Sequence, residues 1–326
     1  MKRENIVGRA NVEDTPELEA YYRELESREL GALWNVANEI EPWFPQPKSV
    51  PMLWKWRDIG PLVRRAPELV TAEKAARRVV MLVNPGRKEW SAAAGLLYTG
   101  VQIMNPGEFT SAHRHQASAL RFVMEGKGAY TVVDGERLAL GARDLVLTPN
   151  GTWHDHGVEA GGTQCIWQDG LDIPLMNSLD ANFYEVHPQT VQTPSPLSRE
   201  NWSKPYSPVF LYKWDVCFSE LKKAGRFEYK NPLTGGPVMP TMGARLELIG
   251  KDAKPVRHTG SVIYQVASGR GWSEIGGQRF EWEEKDIFCV PAWTQYRHGA
   301  TEESVLFSFN DFPAMKALGL YREKND

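Results

Sequence analysis

A repeat within the sequence constrains the fold more than any other feature. Residues 122–128 (FVMEGKG) resemble residues 265–271 (QVASGRG), and residues 144–149 (DLVLTP) resemble residues 286–291 (DIFCVP). The offset is 143 residues at the first match and 142 at the second. Around both copies, short runs of β-branched and aromatic residues alternate with turn residues such as Asp134-Gly135. The pattern predicts two tandem β domains of one kind.

Domain boundaries are predicted from changes in residue composition and hydrophobic pattern along the chain. Residues 1–90 are predicted to be a helical segment, in which Thr15 caps the first helix. Residues 91–186 should form the first β domain. Residues 187–208 contain five prolines and read as an extended linker. Residues 209–326 should form the second β domain.

Composition and charge exclude several classes of protein. The net charge of −3 gives no basic footprint for nucleic acid or for an acidic membrane. No apolar run approaches the roughly 18 residues of a membrane span, and no secretory signal is recognised. The widely spaced cysteines Cys165, Cys217 and Cys289 match neither a zinc site nor a disulfide framework. A cytoplasmic location is the simplest expectation.

Three histidines in the first copy form a candidate metal site. His113 and His115 point to one face of a strand, because strand side chains alternate with period 2. His154 is the last residue of a Pro-x-Gly-x-x-His motif, residues 149–154, on a second strand-like segment. Three neutral imidazoles suit Fe(II), Zn, Mn, Cu or Ni.

The repeat provides an internal control for this site. At the observed offsets, His113 corresponds to Val256 and His154 corresponds to Tyr296. Valine cannot bind a metal, and tyrosine is an uncommon ligand. The sequence therefore predicts one metal ion per chain, in the first copy.

His156 has two interpretations. It lies two residues after His154 and should share its inward face, where it could contact substrate or transfer a proton as a catalytic residue. Its counterpart His298 survives in the copy that lacks the metal ligands, which favours a structural role.

The histidine motifs resemble those of the cupin superfamily. Gly107, His113-x-His115 and Gly126 follow the first cupin motif, and the Pro-x-Gly-x-x-His stretch follows the second. The usual cupin glutamate and asparagine are replaced by Ala119-Leu120 and by Val158. Over most of its length the chain is similar to the gentisate 1,2-dioxygenases and to the salicylate and 1-hydroxy-2-naphthoate dioxygenases. The stretches that carry this similarity are residues 51–56, 78–86, 113–121, 150–157 and 167–174.

The resemblance implies a mainly β chain with two tandem cupin barrels (jelly rolls, or double-stranded β-helices) after the helical segment. It also implies Fe(II) held by three histidines, and an extradiol-type ring-cleaving dioxygenase that takes an aromatic hydroxy acid and O2. Gentisate would give maleylpyruvate, and salicylate, substituted salicylates or 1-hydroxy-2-naphthoate are the alternatives. Members of the family are usually homo-oligomers, often tetramers.

The donor set is consistent with this chemistry. Three neutral ligands leave the iron its full charge. An octahedral ion then has three open coordination positions, two for the carboxylate and phenolate oxygens of the substrate and one for O2. Cupin isomerases and decarboxylases commonly keep the glutamate that is absent here. A non-enzymatic bicupin for binding or storage would have no need of the three intact histidines.

Two residues are candidates for holding the substrate. Arg121 lies six residues after His115, so it should share the inward face and could clamp a carboxylate with two hydrogen bonds. The alternative for Arg121 is a buried ion pair with a local carboxylate. Gln102 corresponds by resemblance to a residue near the substrate, and the alternative is an ordinary polar residue of the sheet.

Two further candidates each have a neighbour that competes for the role. Arg78 is a candidate for a second contact with an anionic substrate, and Arg77 lies beside it. Asp172 is a catalytic candidate that would position a substrate hydroxyl or orient a histidine. Asp169 is its competitor.

Overall fold

The computed structural model describes residue 10 and residues 12–193, 209–251 and 253–325. The chain forms two compact units, Met1–Gln46 and Pro47–Asp326. The smaller unit contains the helices α1 (Pro16–Glu26) and α2 (Leu33–Ile40). Thr15 caps α1 as predicted, because its hydroxyl oxygen accepts a hydrogen bond of 3.2 Å from an amide of the first turn.

Strands dominate the larger unit. The strands of its first half are β1 (Met52–Trp54), β2 (Val79–Met81), β3 (Tyr98–Met104), β4 (His113–His115), β5 (Ala119–Glu125), β6 (Ala129–Val133), β7 (Glu136–Leu140), β8 (Leu145–Thr148), β9 (His154–Val158), β10 (Cys165–Leu171) and β11 (Tyr184–Val186).

The second half repeats this series. Its strands are β12 (Leu211–Tyr212), β13 (Arg226–Tyr229), β14 (Gly243–Ile249), β15 (Val256–His258), β16 (Val262–Ser268), β17 (Arg270–Ile275), β18 (Gln278–Glu283), β19 (Ile287–Val290), β20 (Tyr296–Gly299), β21 (Ser304–Asn310) and β22 (Glu323–Asn325). The helices of the larger unit are α3 (Trp56–Leu69), α4 (Ala72–Ala75), α5 (Ile173–Ser178), α6 (Trp214–Ala224) and α7 (Phe312–Ala317), with a 3-10 turn at Pro85–Trp90.

Two barrels form among the described residues, each from a six-stranded and a five-stranded sheet. In the first barrel the strand orders are β12-β8-β5-β10-β3-β2 and β11-β4-β9-β6-β7. In the second barrel they are β1-β19-β16-β21-β14-β13 and β18-β17-β20-β15-β22. The predicted fold class, a mainly β chain with two tandem jelly-roll barrels, is confirmed.

The two larger sheets share one hydrophobic core. This core contains side chains from both barrels, and Phe122 of β5 stacks on Phe307 of β21 with ring centroids 4.1 Å apart. The opposite faces of the same sheets line the barrel interiors, because side chains alternate across a strand. The six-stranded sheets therefore divide their residues between the common core and two separate interiors.

The barrels exchange short arms. Strand β1, at the start of the first repeat, pairs with β19 of the second barrel, and β12, at the start of the second repeat, pairs with β8 of the first. The registers match, because Trp54 lies opposite Ile287 and Tyr212 lies opposite Leu145. Both arms carry a Lys-Trp pair and continue into a helix, α3 or α6.

This exchange changes the predicted domain boundaries. The segment 1–90 is not helical throughout, since it contains β1 and β2, and Leu211–Tyr212 belongs to the sheet of the first barrel rather than the second. We therefore propose two repeats, residues 51–186 and 210–325, each beginning with its exchanged arm. A local pattern could not reveal the exchange, because its strand pairs join residues far apart in the chain.

The predicted linker is partly described. The amide of His187 donates to the Ala112 carbonyl (2.9 Å), and the amide of Gln192 donates to the Asp155 carboxylate (3.0 Å). Residues 187–193 thus follow the surface of the first barrel. The rest of the predicted linker, residues 194–208, lies outside the described residues.

Candidate metal centre

The smaller sheet of the first barrel brings the three predicted ligands together. His113 and His115 lie on β4, and His154 lies on β9 directly opposite His113. One ring nitrogen from each residue lies within 4.8 Å of the others. These residues are the only group of three potential ligands found in the part of the chain that the structure describes.

Backbone carbonyls orient all three rings. Each Nδ1 lies within hydrogen-bond distance of a carbonyl oxygen two residues away: Ser111 for His113 (2.7 Å), Ala117 for His115 (2.7 Å) and Thr152 for His154 (3.0 Å). When Nδ1–H donates this hydrogen bond, Nε2 carries the lone pair that can bind a metal ion. The buried Nε2 atoms of His115 and His154 have no hydrogen-bond partner among the described residues.

Burial keeps these imidazoles neutral. Together with the nearby Arg77 guanidinium, burial lowers the pKa of His113 to about 3 and that of His115 to about 4. Burial also holds the pKa of His154 well below its ordinary value. Neutral imidazole is the form that binds a metal, so the residues present fit a divalent transition-metal ion.

The second barrel has a different arrangement at the same positions. Val256 lies opposite Tyr296 across β15 and β20, as His113 lies opposite His154. The Tyr296 hydroxyl lies 3.0 Å from Nε2 of His258, so the only one of the three ligand positions that keeps a histidine is already partnered. These contacts support the prediction of a single metal ion in the first barrel.

His156 lies on β9, and its ring centroid is 5.4 Å from that of His154. Its Nδ1 lies 2.9 Å from the Thr131 hydroxyl, and its buried Nε2 has no hydrogen-bond partner among the described residues. Burial and the nearby Arg121 hold its pKa well below the ordinary value. The structure therefore brings a neutral fourth imidazole beside the three candidate ligands.

The larger sheet contributes the opposite wall. Arg121 of β5 is buried, with Nε 3.1 Å from Asp169 Oδ1 and Nη1 donating to the Thr148 hydroxyl (3.1 Å). Burial raises the pKa of Asp169 to about 6 and lowers that of Arg121 to about 10, while their mutual attraction opposes both shifts. Arg121 thus has the ion pair foreseen as its alternative, and it also faces the barrel interior.

A cavity of about 800 Å³ lies against this wall. Gln102, Arg121 and Asp169 line it, together with Tyr98 and Arg77. Gln102 is buried, and neither its amide oxygen nor its amide nitrogen has a hydrogen-bond partner among the described residues. Unpaired buried amides are rare, so the side chain of Gln102 has hydrogen-bonding groups still free at the cavity wall.

The structure brings Arg77, not Arg78, to the histidines. Nη1 of Arg77 lies 3.4 Å from Nε2 of His113, and Arg77 lines both the large cavity and an adjacent one of about 260 Å³ beside His115. Arg78 is buried elsewhere and forms an ion pair with Glu108. The contacts of Arg78 therefore give its predicted substrate role no support, because adjacent residues point in different directions.

Of the two competing aspartates, Asp169 lines the cavity and Asp172 does not. One Asp172 oxygen accepts from the Ser118 amide (2.7 Å), and the other accepts from the Thr241 hydroxyl. Asp311 makes the equivalent bond to the Ser261 amide (2.8 Å) in the second barrel. A contact that both barrels keep, just before helix α5 or α7, is architectural, so the predicted catalytic role of Asp172 finds no support in its contacts.

Tyr184 is a site residue that the sequence analysis missed. Strand β11 pairs with β4, which stacks the Tyr184 ring on that of His113 with centroids 5.3 Å apart. The Arg77 guanidinium lies 5.6 Å from the same tyrosine ring. The available signal was the short apolar run around residue 184, next to the predicted linker.

Comparison with known proteins finds relatives that match almost the whole chain. The family model described as the cupin domain matches residues 100–174. Gentisate 1,2 dioxygenase 1 of Aquipseudomonas alcaligenes is 35% identical, over 96% of this chain and 97% of the relative. The 5-aminosalicylate 1,2-dioxygenase of Comamonas sp is 34% identical, over 94% of this chain and 90% of the relative.

Solved structures extend the similarity to the whole fold. A variant of salicylate 1,2-dioxygenase from Pseudoaminobacter salicylatoxidans, in complex with gentisate, superposes with a TM-score of 0.90 at 30% identity. The match covers 100% of this chain and 99% of that chain. With this similarity over almost the full length of both chains, the protein belongs to the family of the gentisate 1,2-dioxygenases and related ortho-hydroxybenzoate dioxygenases.

Proposed function

We propose that this protein is an Fe(II)-dependent dioxygenase that opens the ring of an ortho-hydroxybenzoate between the carboxyl-bearing and hydroxyl-bearing carbons. Gentisate, which would give maleylpyruvate, is the preferred substrate, and salicylate, substituted salicylates and 1-hydroxy-2-naphthoate are the alternatives. The cleaved bond lies beside the hydroxyl-bearing carbon, which is the sense in which the reaction is of the extradiol type. The observation that carries the proposal is the group of three neutral, buried imidazoles next to a cavity with cationic and amide side chains.

His113, His115 and His154 would hold the iron through Nε2, and the orientation of their rings by backbone carbonyls supports this assignment. When bound, the iron would supply the electron that dioxygen activation needs, which zinc could not. No charged ligand occurs in the set, so the full divalent charge remains to attract an anionic substrate.

Arg121 would bind the substrate carboxylate. Its guanidinium is held by Asp169 and Thr148, so the fork is already oriented before a substrate arrives. Arg77 adds a second positive charge at the same cavity, and Gln102 offers an unpaired amide. Together these groups would fix the position of a planar hydroxy acid against the histidines.

His156 would contact the reacting part of the substrate. Its Nδ1 is held by Thr131 and its Nε2 is free, so one edge of the ring is fixed and the other is available. A neutral imidazole can accept the phenolic proton of the substrate or, in its other tautomer, donate to a substrate oxygen.

Oxygen uptake tests the proposed function. The iron-loaded chain should consume O2 with at least one acid of a panel that contains gentisate, salicylate and 1-hydroxy-2-naphthoate, with the highest kcat/KM for gentisate. Each productive acid should yield one ring-opened product per O2 consumed. If the iron-loaded chain consumes no O2 with any member of the panel, a non-enzymatic binding or storage role would replace the proposal.

We also propose that the chain forms a homo-oligomer, most simply a tetramer. Helix α2 exposes Leu33, Val36 and Ile40, which recur at helical spacing, with exposed fractions of 62%, 39% and 63%. Such an apolar stripe on an exposed helix favours burial against another chain. Sedimentation should give a mass of four chains, and Leu33→Ser with Ile40→Ser should reduce it. A wild-type monomer would contradict the proposal.

A cytoplasmic location is our final proposal on function. Cys165, Cys217 and Cys289 are buried free thiols, as expected for a protein of a reducing compartment. Fractionation of cells that express the chain should recover its activity with cytoplasmic markers.

A further inference from the structure

The second barrel contains a cavity of about 560 Å³ at the position that corresponds to the histidine site of the first. Val256, Tyr296 and His298, the counterparts of His113, His154 and His156, all line it. Sites for small molecules typically span roughly 300–1,000 Å³. No residue assigned above to catalysis lines this cavity, so it is a separate compartment.

A linked set of polar groups lies in this cavity. The Tyr296 hydroxyl lies 3.0 Å from His258 Nε2 and accepts from the Tyr264 hydroxyl (3.4 Å), which in turn accepts from Arg245 Nη2 (3.0 Å). Nε2 of His298 has no hydrogen-bond partner among the described residues, although the residue is only 6% exposed. Its Nδ1 lies 2.7 Å from the hydroxyl of Ser273 in the same sheet, so Nε2 belongs to the opposite edge of the ring. An unpaired polar edge at this depth indicates a ligand that supplies the missing hydrogen bond.

The charges around the cavity favour an anion. Six cationic side chains and only three carboxylates line it. Glu228 is paired with Arg226 (2.5 Å) and Glu247 with Arg245 (3.0 Å) within the lining, and Arg297 is paired with Glu274 outside it (2.7 Å). The excess positive charge therefore comes from the lysines. Lysines at the rim, including Lys254 and Lys316, add to the positive potential.

Flat apolar surfaces complete the lining. Phe312 packs edge-on against the His258 ring with centroids 4.4 Å apart, and Tyr321 lies 5.2 Å from Phe312. Val256 adds an aliphatic surface where the first barrel has a ligand histidine. A planar ring fits such walls better than a flexible chain does, because aromatic edges and faces pack well against it.

We propose that the second barrel is a ligand site that binds a small aromatic carboxylate without a metal ion. The carboxylate lies toward the cationic side of the cavity, the ring lies between Val256 and Phe312, and Nε2 of His298 makes a hydrogen bond to the ligand. The chain then has two sites of common descent, one that uses a metal and one that does not.

Calorimetric titration with gentisate tests this proposal. The full-length, iron-loaded chain is titrated under anaerobic conditions, so that no ligand is consumed. We expect two equivalents of gentisate per chain. Val256→Trp fills the cavity without removing a polar group, and it should reduce the stoichiometry to one while oxygen uptake in air stays normal. Lys316→Glu, at the exposed rim, should weaken the same equivalent about tenfold, as the reversal of a charge near an anion predicts.

Arg121→Gln is the matched control in the first barrel. It should weaken the other equivalent and leave the one that Val256→Trp removes, so failure of the proposed function and failure of the second site give different results. A single equivalent that Val256→Trp does not change would overturn the second site. A second equivalent that survives both Val256→Trp and Lys316→Glu would overturn it as well.

Discussion

The two barrels share the same backbone fold and differ in the side chains at equivalent positions. His115 and His258 occupy equivalent positions and bond through Nδ1 to equivalent carbonyls, at 2.7 and 2.8 Å. His156 and His298 both lie beside a hydroxyl, of Thr131 or Ser273, at 2.9 and 2.7 Å. The scaffold for a metal site thus persists in the second barrel, and replacement of two ligand side chains is sufficient to remove the three-histidine set.

The opposite walls differ more widely. Arg121 lies opposite Asp169 in the first barrel, and Tyr264 lies opposite Ser308 in the second, so the two cross-strand pairs occupy equivalent positions. The ion pair across two strands in the first barrel therefore has no equivalent in the second, where Arg245 pairs with Glu247 within β14. Contacts present in both barrels support the fold, and those confined to one barrel are candidates for function.

The largest expected effect comes from exchanging the ligand positions. His154→Tyr should remove the metal and reduce oxygen uptake to background, because two histidines do not hold the ion. The reverse pair Val256→His with Tyr296→His should raise the metal content of the chain from one equivalent to two. Elemental analysis measures both changes. If the double variant binds no additional metal, the scaffold of the second barrel has diverged beyond its side chains.

The comparison of His156 with His298 ranks next. His156→Ala should keep iron and lower kcat about 100-fold to 10,000-fold, the usual contribution of a positioned acid or base. His298→Ala should leave both iron content and turnover unchanged. Equal losses of stability with normal turnover in the two variants would assign this position to the barrel rather than to the reaction.

A smaller effect is expected from Arg121→Lys, which keeps the charge and loses the planar fork. Loss of one charge-assisted hydrogen bond costs roughly 1–3 kcal/mol, so kcat/KM should fall about 5-fold to 150-fold. Tyr264→Phe, at the equivalent position of the second barrel, should leave kcat/KM unchanged. Unaltered steady-state kinetics of Arg121→Lys would leave the carboxylate clamp to Arg77.

The neighbouring arginines should separate binding from stability. Arg77→Gln should raise KM about tenfold with little change in Tm, because one partly exposed cation leaves the cavity. Arg78→Gln should lower the free energy of unfolding by roughly 1–3 kcal/mol and leave KM unchanged, since Glu108 loses its buried partner. The reverse assignment of the two effects would restore Arg78 as the substrate contact.

The smallest effect concerns pH. Burial raises the pKa of Asp169 from 3.8 to about 6, so the folded chain binds this proton more tightly than the unfolded chain does. Its contribution to stability is therefore present below pH 4 and is lost as the pH rises through 6. Between pH 4 and 7, the Tm of the metal-free wild type should fall relative to that of Asp169→Asn. Ser308, which does not titrate, replaces this residue in the second barrel. Parallel Tm curves for the two proteins would show that Asp169 stays ionised.

The sequence by itself determined the repeat, the two β barrels and the three candidate ligands. These features follow from short-range rules: alternation places His113 and His115 on one face, and the internal offset identifies Val256 and Tyr296 as replacements. The same alternation predicted that His156 and Arg121 point inward, and both side chains are buried in the structure.

Only the tertiary structure decided which neighbours reach the cavity and how the barrels are joined. Arg77 and Arg78 precede the same strand, so their directions depend on how β2 pairs with β3, residues that the local pattern does not link. Asp172 follows the end of β10, where the period of the strand no longer applies, and its carboxylate accepts from the Ser118 amide and the Thr241 hydroxyl instead of lining the cavity. The exchanged arms pair residues more than 60 positions apart. Such pairings are selected by burial of both sheets in one core, a property of the whole chain that no local segment encodes.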